Sequence, residues 1–347
     1  MKRIKIFLGG YINYTNAQNI NCLSIAKHID RNKFKPYALT VHFGSSNKYN
    51  FNTFNCFKYF KISKVFGFLW GIIICDVAYL PKHIDTPLIA LKLAKLLKKP
   101  IFTTIEGNVS DRSKDNLIDL FGDKNKIKKH FSYFNQIFPI TTFLSKQKIN
   151  SFNIQSNPLY LGVENKFSVG SSFKKKLNQI IFVGSLIKRK NIDEVIRLAA
   201  EYPNINFKII GDGPDKENLI KKASLNVTFL GLIPHHLIIN YFKKSDLLFL
   251  PSKSEGFPKV ILEAAYSSIP SVLYDDYGAS EWIVNRKNGF IVSHFEEVRL
   301  LIAELIENPL ILQRVSRNVK DLASFFDWRN IIRNWELVIF KLYNERK

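Results

Sequence analysis

Asp246-Leu247-Leu248-Phe249-Leu250-Pro251-Ser252-Lys253-Ser254-Glu255-Gly256-Phe257-Pro258-Lys259-Val260-Ile261-Leu262-Glu263-Ala264 passes from a short apolar run, through a polar turn, into a second apolar run. The first run reads as a strand and the second as a helix. Pro258 is placed as the first helical residue, because its fixed φ suits a helix start. Glu255 then falls in the turn and Glu263 about two turns into the helix. A turn acid and a helix acid around one helix N-terminus can grip a polar, polyhydroxylated ligand. The backbone N–H groups of Gly256, Phe257, Lys259 and Val260 add an anion site beside them, since a helix start leaves several donors unpaired.

The same alternation extends in both directions. Gln179 to Val183, Asn206 to Ile210, Val227 to Leu230, Asp246 to Leu250, Ser271 to Tyr274 and Phe290 to Val292 are short strand-like runs. Helical patterns lie between most of them, as in Ile192, Val195, Ile196 and Ala199, which recur at i, i+3, i+4 and i+7. Strands alternating with helices predict a parallel sheet covered on both faces. In such sheets ligands bind beyond the carboxyl ends of the strands. Gly184-Ser185-Leu186-Ile187-Lys188-Arg189-Lys190-Asn191, Gly211-Asp212-Gly213-Pro214, Gly231-Leu232-Ile233-Pro234, Pro251 to Pro258 and Asp275 to Glu281 all fall there. Between them they carry cations for phosphates, carboxylates for hydroxyls and glycines for close backbone approach.

The first half repeats the theme more loosely, with strands expected at Arg3 to Leu8, Tyr37 to His42, Asp76 to Leu80, Pro100 to Ile105 and Ile137 to Thr141. The expected organisation is an α/β chain of two doubly wound, Rossmann-like domains: residues 1–165, a polar linker at 166–178, and residues 179–326. Residues 327–347 form an amphipathic helix with Trp328, Ile332, Trp335, Ile339 and Leu342 on one side. With no strand after it, that helix is expected to cross back and brace the first domain.

At 347 residues the chain fits two moderate domains. Cys22, Cys56 and Cys75 are scattered, without a CxxC pair or histidines at ligand spacing, which argues against disulfides and structural zinc and favours a reducing cytoplasm. The N-terminus reads as a first strand ending in Gly9-Gly10, not a signal peptide. The longest apolar stretch, Val65 to Leu80, contains Asp76 and is too short to span a bilayer comfortably. Net charge is +22, and the first 165 residues hold most of the excess, with 24 Lys+Arg against 9 Asp+Glu. That field suits an anionic membrane surface or an anionic acceptor, and equally a solvated surface. No RNP-type motif, zinc finger or continuous basic helix supports nucleic acid.

Several of these motifs also have plain structural readings. Gly211-Asp212-Gly213-Pro214 is adequately explained as a strand-to-helix turn. Lys188-Arg189-Lys190 directly after Gly184 at a strand end favours phosphate contact over a solvated charge run. A helix-dipole role explains neither Glu255, which precedes the helix, nor Glu263, which sits in an apolar run.

Taken together, Pro251-Ser252-x-x-Glu255-Gly256-Phe257-Pro258-x-Val260-Ile261-Leu262-Glu263-Ala264 resembles the E-x7-E signature of glycosyltransferase family 4, the glycosyl transferases of group 1. These are retaining enzymes of the two-domain GT-B fold, in which the domains face a central cleft. Phe182-Val183-Gly184-Ser185-Leu186 with Lys190-Asn191, Ile209 to Pro214, Phe229-Leu230-Gly231, Tyr277 to Glu281 and Asn288-Gly289-Phe290 resemble the family's donor-binding domain in order and spacing. The resemblance covers residues 179–292 almost without a gap and is weaker before them, where Gly9-Gly10 fits a glycine turn near the donor phosphates and Tyr160 to Glu164 resembles a segment before the linker.

The resemblance implies roles. Glu255 contacts sugar hydroxyls and places the anomeric centre, Glu263 holds the ribose, and Lys190 neutralises the departing diphosphate. Gly9, Gly10, Gly184, Ser185, Lys188, Arg189, Gly256, Phe257, Pro258 and Lys259 line the donor, with Leu232 and Ile233 near its base. No metal and no cofactor is expected beyond the nucleotide-sugar co-substrate. Two positions depart from the family. Ser185 stands where an arginine is usual, leaving Lys188 or Arg189 as substitutes. Glu106, in Thr103-Thr104-Ile105-Glu106-Gly107, stands where many members carry histidine; it either faces the sugar or acceptor proton or is a hydrogen-bonded loop acid.

The expected activity is transfer of a sugar from a nucleotide-diphosphate donor to a glycan or lipid-linked acceptor. The setting is bacterial surface polysaccharide assembly (O-antigen, lipopolysaccharide or capsule), at the inner face of the cytoplasmic membrane. The alternatives are a nucleotide-sugar 2-epimerase of similar fold and a non-catalytic sugar-nucleotide or polyanion-binding protein.

Overall fold

The computed structural model describes residues 2–14, 16–46, 48–81, 86–106, 122–146, 157–164, 173–275 and 277–345. It divides into two compact units, Met1–Gly162 with Trp328–Lys347, and Val163–Asp327. Each holds a six-stranded sheet that is parallel throughout.

The first sheet is built from β1 (Ile4–Tyr11), β2 (Phe34–Val41), β3 (Asn52–Cys56), β4 (Val77–Tyr79), β5 (Ile101–Ile105) and β6 (Gln136–Pro139), in the order β3-β2-β1-β4-β5-β6. All eight residues of β1 except Lys5 are buried, as a strand covered by helices on both faces must be. β3 was not foreseen. Its sequence, Asn52-Thr53-Phe54-Asn55-Cys56, is half polar because it is an edge strand that pairs only with β2. Gly9 and Gly10, expected as a turn, lie inside β1. A Cβ on Gly9 would come within 2.8 Å of Leu80 Cδ2, and one on Gly10 within 2.7 Å of Cys22 Sγ. These glycines are therefore set by close packing of neighbouring elements against the strand.

Helices Phe60–Ile74, Leu88–Leu96 and Lys124–Phe131 cover one face of this sheet. Their inward residues Phe68, Ile72, Ala90, Leu91, Ala94, Ile127 and Phe131 share one core with Phe7, Tyr37 and Ile101. A right-handed crossover places them there, since all three connect strands that step in the same direction across the sheet. The terminal helix Trp328–Glu345 belongs to this first unit. Its expected apolar side is buried, with Trp328 at 1% and Trp335 at 0% exposure. Trp335 stacks edge-on against Tyr79 at 4.8 Å, and its indole N–H donates to the Tyr160 carbonyl at 2.9 Å.

The second sheet comprises β7 (Gln179–Val183), β8 (Asn206–Ile210), β9 (Val227–Gly231), β10 (Leu247–Leu250), β11 (Ser271–Tyr274) and β12 (Phe290–Val292), in the order β12-β11-β10-β7-β8-β9. Of the stretch read as a linker, 166–172 lies outside the described residues. The remainder is docked on the second unit: the buried Lys174 donates its backbone N–H to Ser316 Oγ at 2.8 Å and its ammonium to the Lys243 carbonyl at 2.9 Å. Among the described residues no helix is long and apolar enough to cross a membrane.

Candidate functional site

In the second sheet the strand order reverses between β7 and β10, which are hydrogen-bonded neighbours. The loops leaving their carboxyl ends in opposite senses open a crevice at that point. The loop after β7 carries the basic triplet and the loop after β10 carries Glu255.

The β7 loop is fixed by its neighbour after β8. Gly184 N–H donates to the Ile210 carbonyl at 3.0 Å, Leu186 N–H to Asp212 at 2.9 Å, and Asp215 N–H returns to Leu186 at 3.2 Å. Contact this close requires glycine. Gly211 has φ +141°, and a Cβ there would lie 1.9 Å from the Gly184 carbonyl oxygen. A Cβ on Gly213 would sit 2.3 Å from the Leu186 carbonyl oxygen. The Gly211-Asp212-Gly213-Pro214 motif is thus a turn whose glycines let two loops lie against each other. Beyond Leu186, Lys188–Lys190 form one turn of 3₁₀ helix closed by Asn191 in the left-handed region at φ 54°, a conformation asparagine tolerates. This turn aims Lys190.

Glu255 is 7% exposed. Its Oε1 accepts from Lys190 Nζ, and Arg189 Nη1 lies 3.4 Å from its Oε2. Arg189 also donates to the Ser254 carbonyl, and Lys253 N–H donates back to the Arg189 carbonyl at 3.0 Å. A buried carboxylate is tolerable when it has such partners. Two cations against one acid leave positive charge in excess at the mouth of the crevice. Of the two substitutes expected for the missing arginine, the structure brings Arg189 to Glu255. Lys188 and Ser185 are exposed.

The helix after this turn spans Lys259–Tyr266, so Pro258 is its N-cap, at φ −75° and ψ 89°, and Glu263 is its fifth residue. Glu263 therefore lies little more than one turn in. Its side chain is 8% exposed, and Oε1 lies 2.7 Å from His235 Nε2. His235 was not singled out from the sequence. It opens a 3₁₀ turn, His235–Leu237, four residues after β9, and a histidine pair at a strand's carboxyl end was the available signal. The same β9 loop carries Leu232, 78% exposed, and the half-buried Ile233. Phe257, between the two acids, packs against Trp282 at 5.4 Å and Phe326 at 5.2 Å, anchoring the turn from below. The half-buried Gly256 and Lys259 flank it. Among the described residues, no group of three or more His, Cys, Asp or Glu side chains is placed to hold a metal ion.

In the first unit, Glu106 follows β5 and is half-buried. It accepts a hydrogen bond from Thr104 Oγ1 at 3.2 Å, and Thr104 is paired with the Tyr79 hydroxyl at 2.7 Å. Burial first, and the negative charge of Glu106 second, push the Tyr79 phenol well above its usual range. Gly107 lies outside the described residues.

Residues 163–322 match the family model described as glycosyl transferases group 1. An uncharacterized glycosyltransferase of Haemophilus influenzae is 28% identical over 209 residues, 57% of this chain and 58% of that protein. The alpha-monoglucosyldiacylglycerol synthase of Acholeplasma laidlawii is 31% identical over 149 residues, 40% of this chain and 37% of that protein. The chain thus spans well under two thirds of either relative. Among solved structures, Anabaena HepE in complex with UDP-glucose superposes with a TM-score of 0.77 at 16% identity, over 98% of this chain and 100% of that one. Together with the two parallel six-stranded sheets, this likeness gives the chain the two-domain α/β GT-B fold.

Proposed function

We propose that this chain, which belongs to the glycosyl transferases group 1, moves a sugar from a nucleotide-diphosphate donor to a hydroxyl of a glycan or lipid-linked acceptor, with retention at the anomeric carbon. The observation that carries the reading is the buried Glu255 held between Lys190 and Arg189 at the reversal of the second sheet. In this reading the diphosphate lies against Lys190 and Arg189. The amides that open the helix Lys259–Tyr266 lie beside it. As the bond from the anomeric carbon to the diphosphate breaks, the electron pair leaves with the diphosphate, and these preorganised charges stabilise it without a divalent ion. Glu255, released from Lys190 by the phosphates, accepts hydrogen bonds from the sugar hydroxyls.

Glu263 and His235 hold the ribose hydroxyls, and the β9 loop with Leu232 and Ile233 borders the base. Glu106, in the first unit, is proposed to take the proton of the attacking acceptor hydroxyl. The Acholeplasma laidlawii relative named for monoglucosyldiacylglycerol synthesis and the structural neighbour holding UDP-glucose support a nucleotide-sugar donor and a lipid-borne acceptor. Assembly of bacterial surface polysaccharide at the inner face of the cytoplasmic membrane is the setting we propose.

A thermal-shift screen of UDP-, GDP- and ADP-sugars tests the donor class, because a ligand that binds only the native state raises the midpoint. One nucleotide series should stabilise the wild type and fail to stabilise Lys190→Ala. Stabilisation by none of them, or equal stabilisation of that variant, would overturn the reading.

A further inference from the structure

The outward sides of two helices of the first unit carry an apolar and basic surface that the transfer reaction does not use. On Phe60–Ile74, the exposed Ile62 (58%), Phe66 (55%) and Ile73 (56%) recur at i, i+4 and i+11 with the half-buried Leu69 at i+7, a single stripe at helical spacing. Tyr59, 74% exposed, stands just before the helix. On Leu88–Leu96, Leu88, Ile89 and Leu96 are exposed at 48%, 54% and 78%. The two helices pack side by side on the same sheet face, so their stripes belong to one outer surface.

Lysines border both stripes. Lys58, Lys61, Lys92, Lys95 and Lys98 are exposed, and Lys95 reaches over the Tyr133 ring at 5.9 Å. Residues 57–75 and 86–99 contain no aspartate or glutamate. Isolated exposed apolar side chains are ordinary on a protein surface, but a contiguous stripe framed by one sign of charge marks an interaction face.

We infer that this surface docks the protein on an anionic lipid bilayer, the apolar side chains entering the acyl boundary while the lysines lie at the headgroups. Charge selects this occupant. A second copy of the chain would set lysines against lysines, whereas an anionic leaflet neutralises them, and apolar insertion and lysine attraction act together in interfacial binding. The inference deepens the reading above by naming where a lipid-borne acceptor is met, and it rests on that reading only for the acceptor.

The test is sedimentation of the full chain with phosphatidylcholine vesicles, alone or mixed with phosphatidylglycerol. The mixed vesicles should bind at least about tenfold more protein, at roughly fivefold in affinity per engaged lysine. The variant with Ile62→Ser, Phe66→Ser and Leu96→Ser should lose at least about tenfold, and the variant with Lys61→Gln, Lys92→Gln and Lys95→Gln at least about tenfold and up to about a hundredfold if all three lysines engage. All six positions are exposed or bordering, so the thermal midpoint should hold. Phe66→Trp keeps the surface intact; its emission should shift to the blue on mixed vesicles and be quenched by brominated lipid. Equal binding to both vesicle types, no binding, or an unchanged Phe66→Trp signal would overturn the proposal. So would a concentration-dependent dimer that the serine variant abolishes. None of these readouts needs a sugar donor, so vesicle binding lost while donor-induced stabilisation persists would contradict this surface alone. The reverse pattern would contradict the transfer reading alone.

Discussion

Arg189 and Lys188 adjoin in sequence, yet only Arg189 reaches Glu255, at 3.4 Å. If Arg189 fills the place where the family's arginine is replaced by Ser185, Arg189→Ala should lower kcat/KM by about tenfold to a hundredfold, as expected for loss of one charge-assisted contact to the leaving group. Lys188→Ala should stay within about twofold. Equal effects of the two would remove Arg189 from that role. Glu255, Glu263 and Lys190 stood out in the sequence because an acid in an apolar run, or a cation after a strand-end glycine, breaks an otherwise regular pattern. It could not choose between Lys188 and Arg189, because a single 3₁₀ turn decides which side chain points inward. Nor did it reveal His235, whose pairing with Glu263 joins residues 28 apart through the tertiary fold.

At the scale of elements, the loops after β7 and β8 act as one rigid piece because Gly211 leaves no room for a side chain. Gly211→Ala should cost about 3 kcal/mol or more, since both the φ of +141° and the 1.9 Å approach to Gly184 O must be relieved. Gly231 is the matched control. Its φ is +67° with nothing within 4 Å of an added Cβ, so Gly231→Ala should cost only about 1–2 kcal/mol in urea unfolding. Similar costs would show that the loops are not locked as described.

The helix Lys124–Phe131 offers a second test through His130, whose imidazole burial holds down to about 4. The unfolded chain takes up that proton near pH 6.5, and the folded one resists until about pH 4. The stability associated with the neutral ring is therefore complete above pH 6.5 and lost as pH falls toward 4. His130→Phe, placed among Phe131 and Phe134, should flatten that part of the stability profile. An unchanged profile would contradict a neutral, half-buried ring. Strands β7, β8, β11 and β12 were legible to the residue because they are apolar runs bounded by turns. β3 was not, because an edge strand has only one neighbour and little apolar signal.

Across the whole molecule, the chain leaves its first unit after Gly162 and returns to it at Trp328. The returning helix was readable from its 3.6-residue apolar period; which unit it packs on is set by the fold. Trp335 carries much of this contact, fully buried against Tyr79 and Phe102. Trp335→Ala should destabilise the first unit by about 3–5 kcal/mol, seen as a separate, earlier unfolding step, while Trp335→Phe should recover most of it. A single transition with an unchanged midpoint would contradict that dependence. The division of the net charge was equally plain in the sequence, but its use was not, because only the fold sets the lysines of two helices beside apolar stripes on one surface.

The most direct test of the transfer chemistry is release of nucleoside diphosphate from nucleotide sugars, with and without glycan or lipid acceptors, by the wild type and Glu255→Gln. The wild type should release one nucleoside diphosphate faster with acceptor, and Glu255→Gln should be slower by at least about a hundredfold while keeping its fold. No release from any donor, an undiminished rate in Glu255→Gln, or conversion of the donor to its epimer without transfer would contradict it.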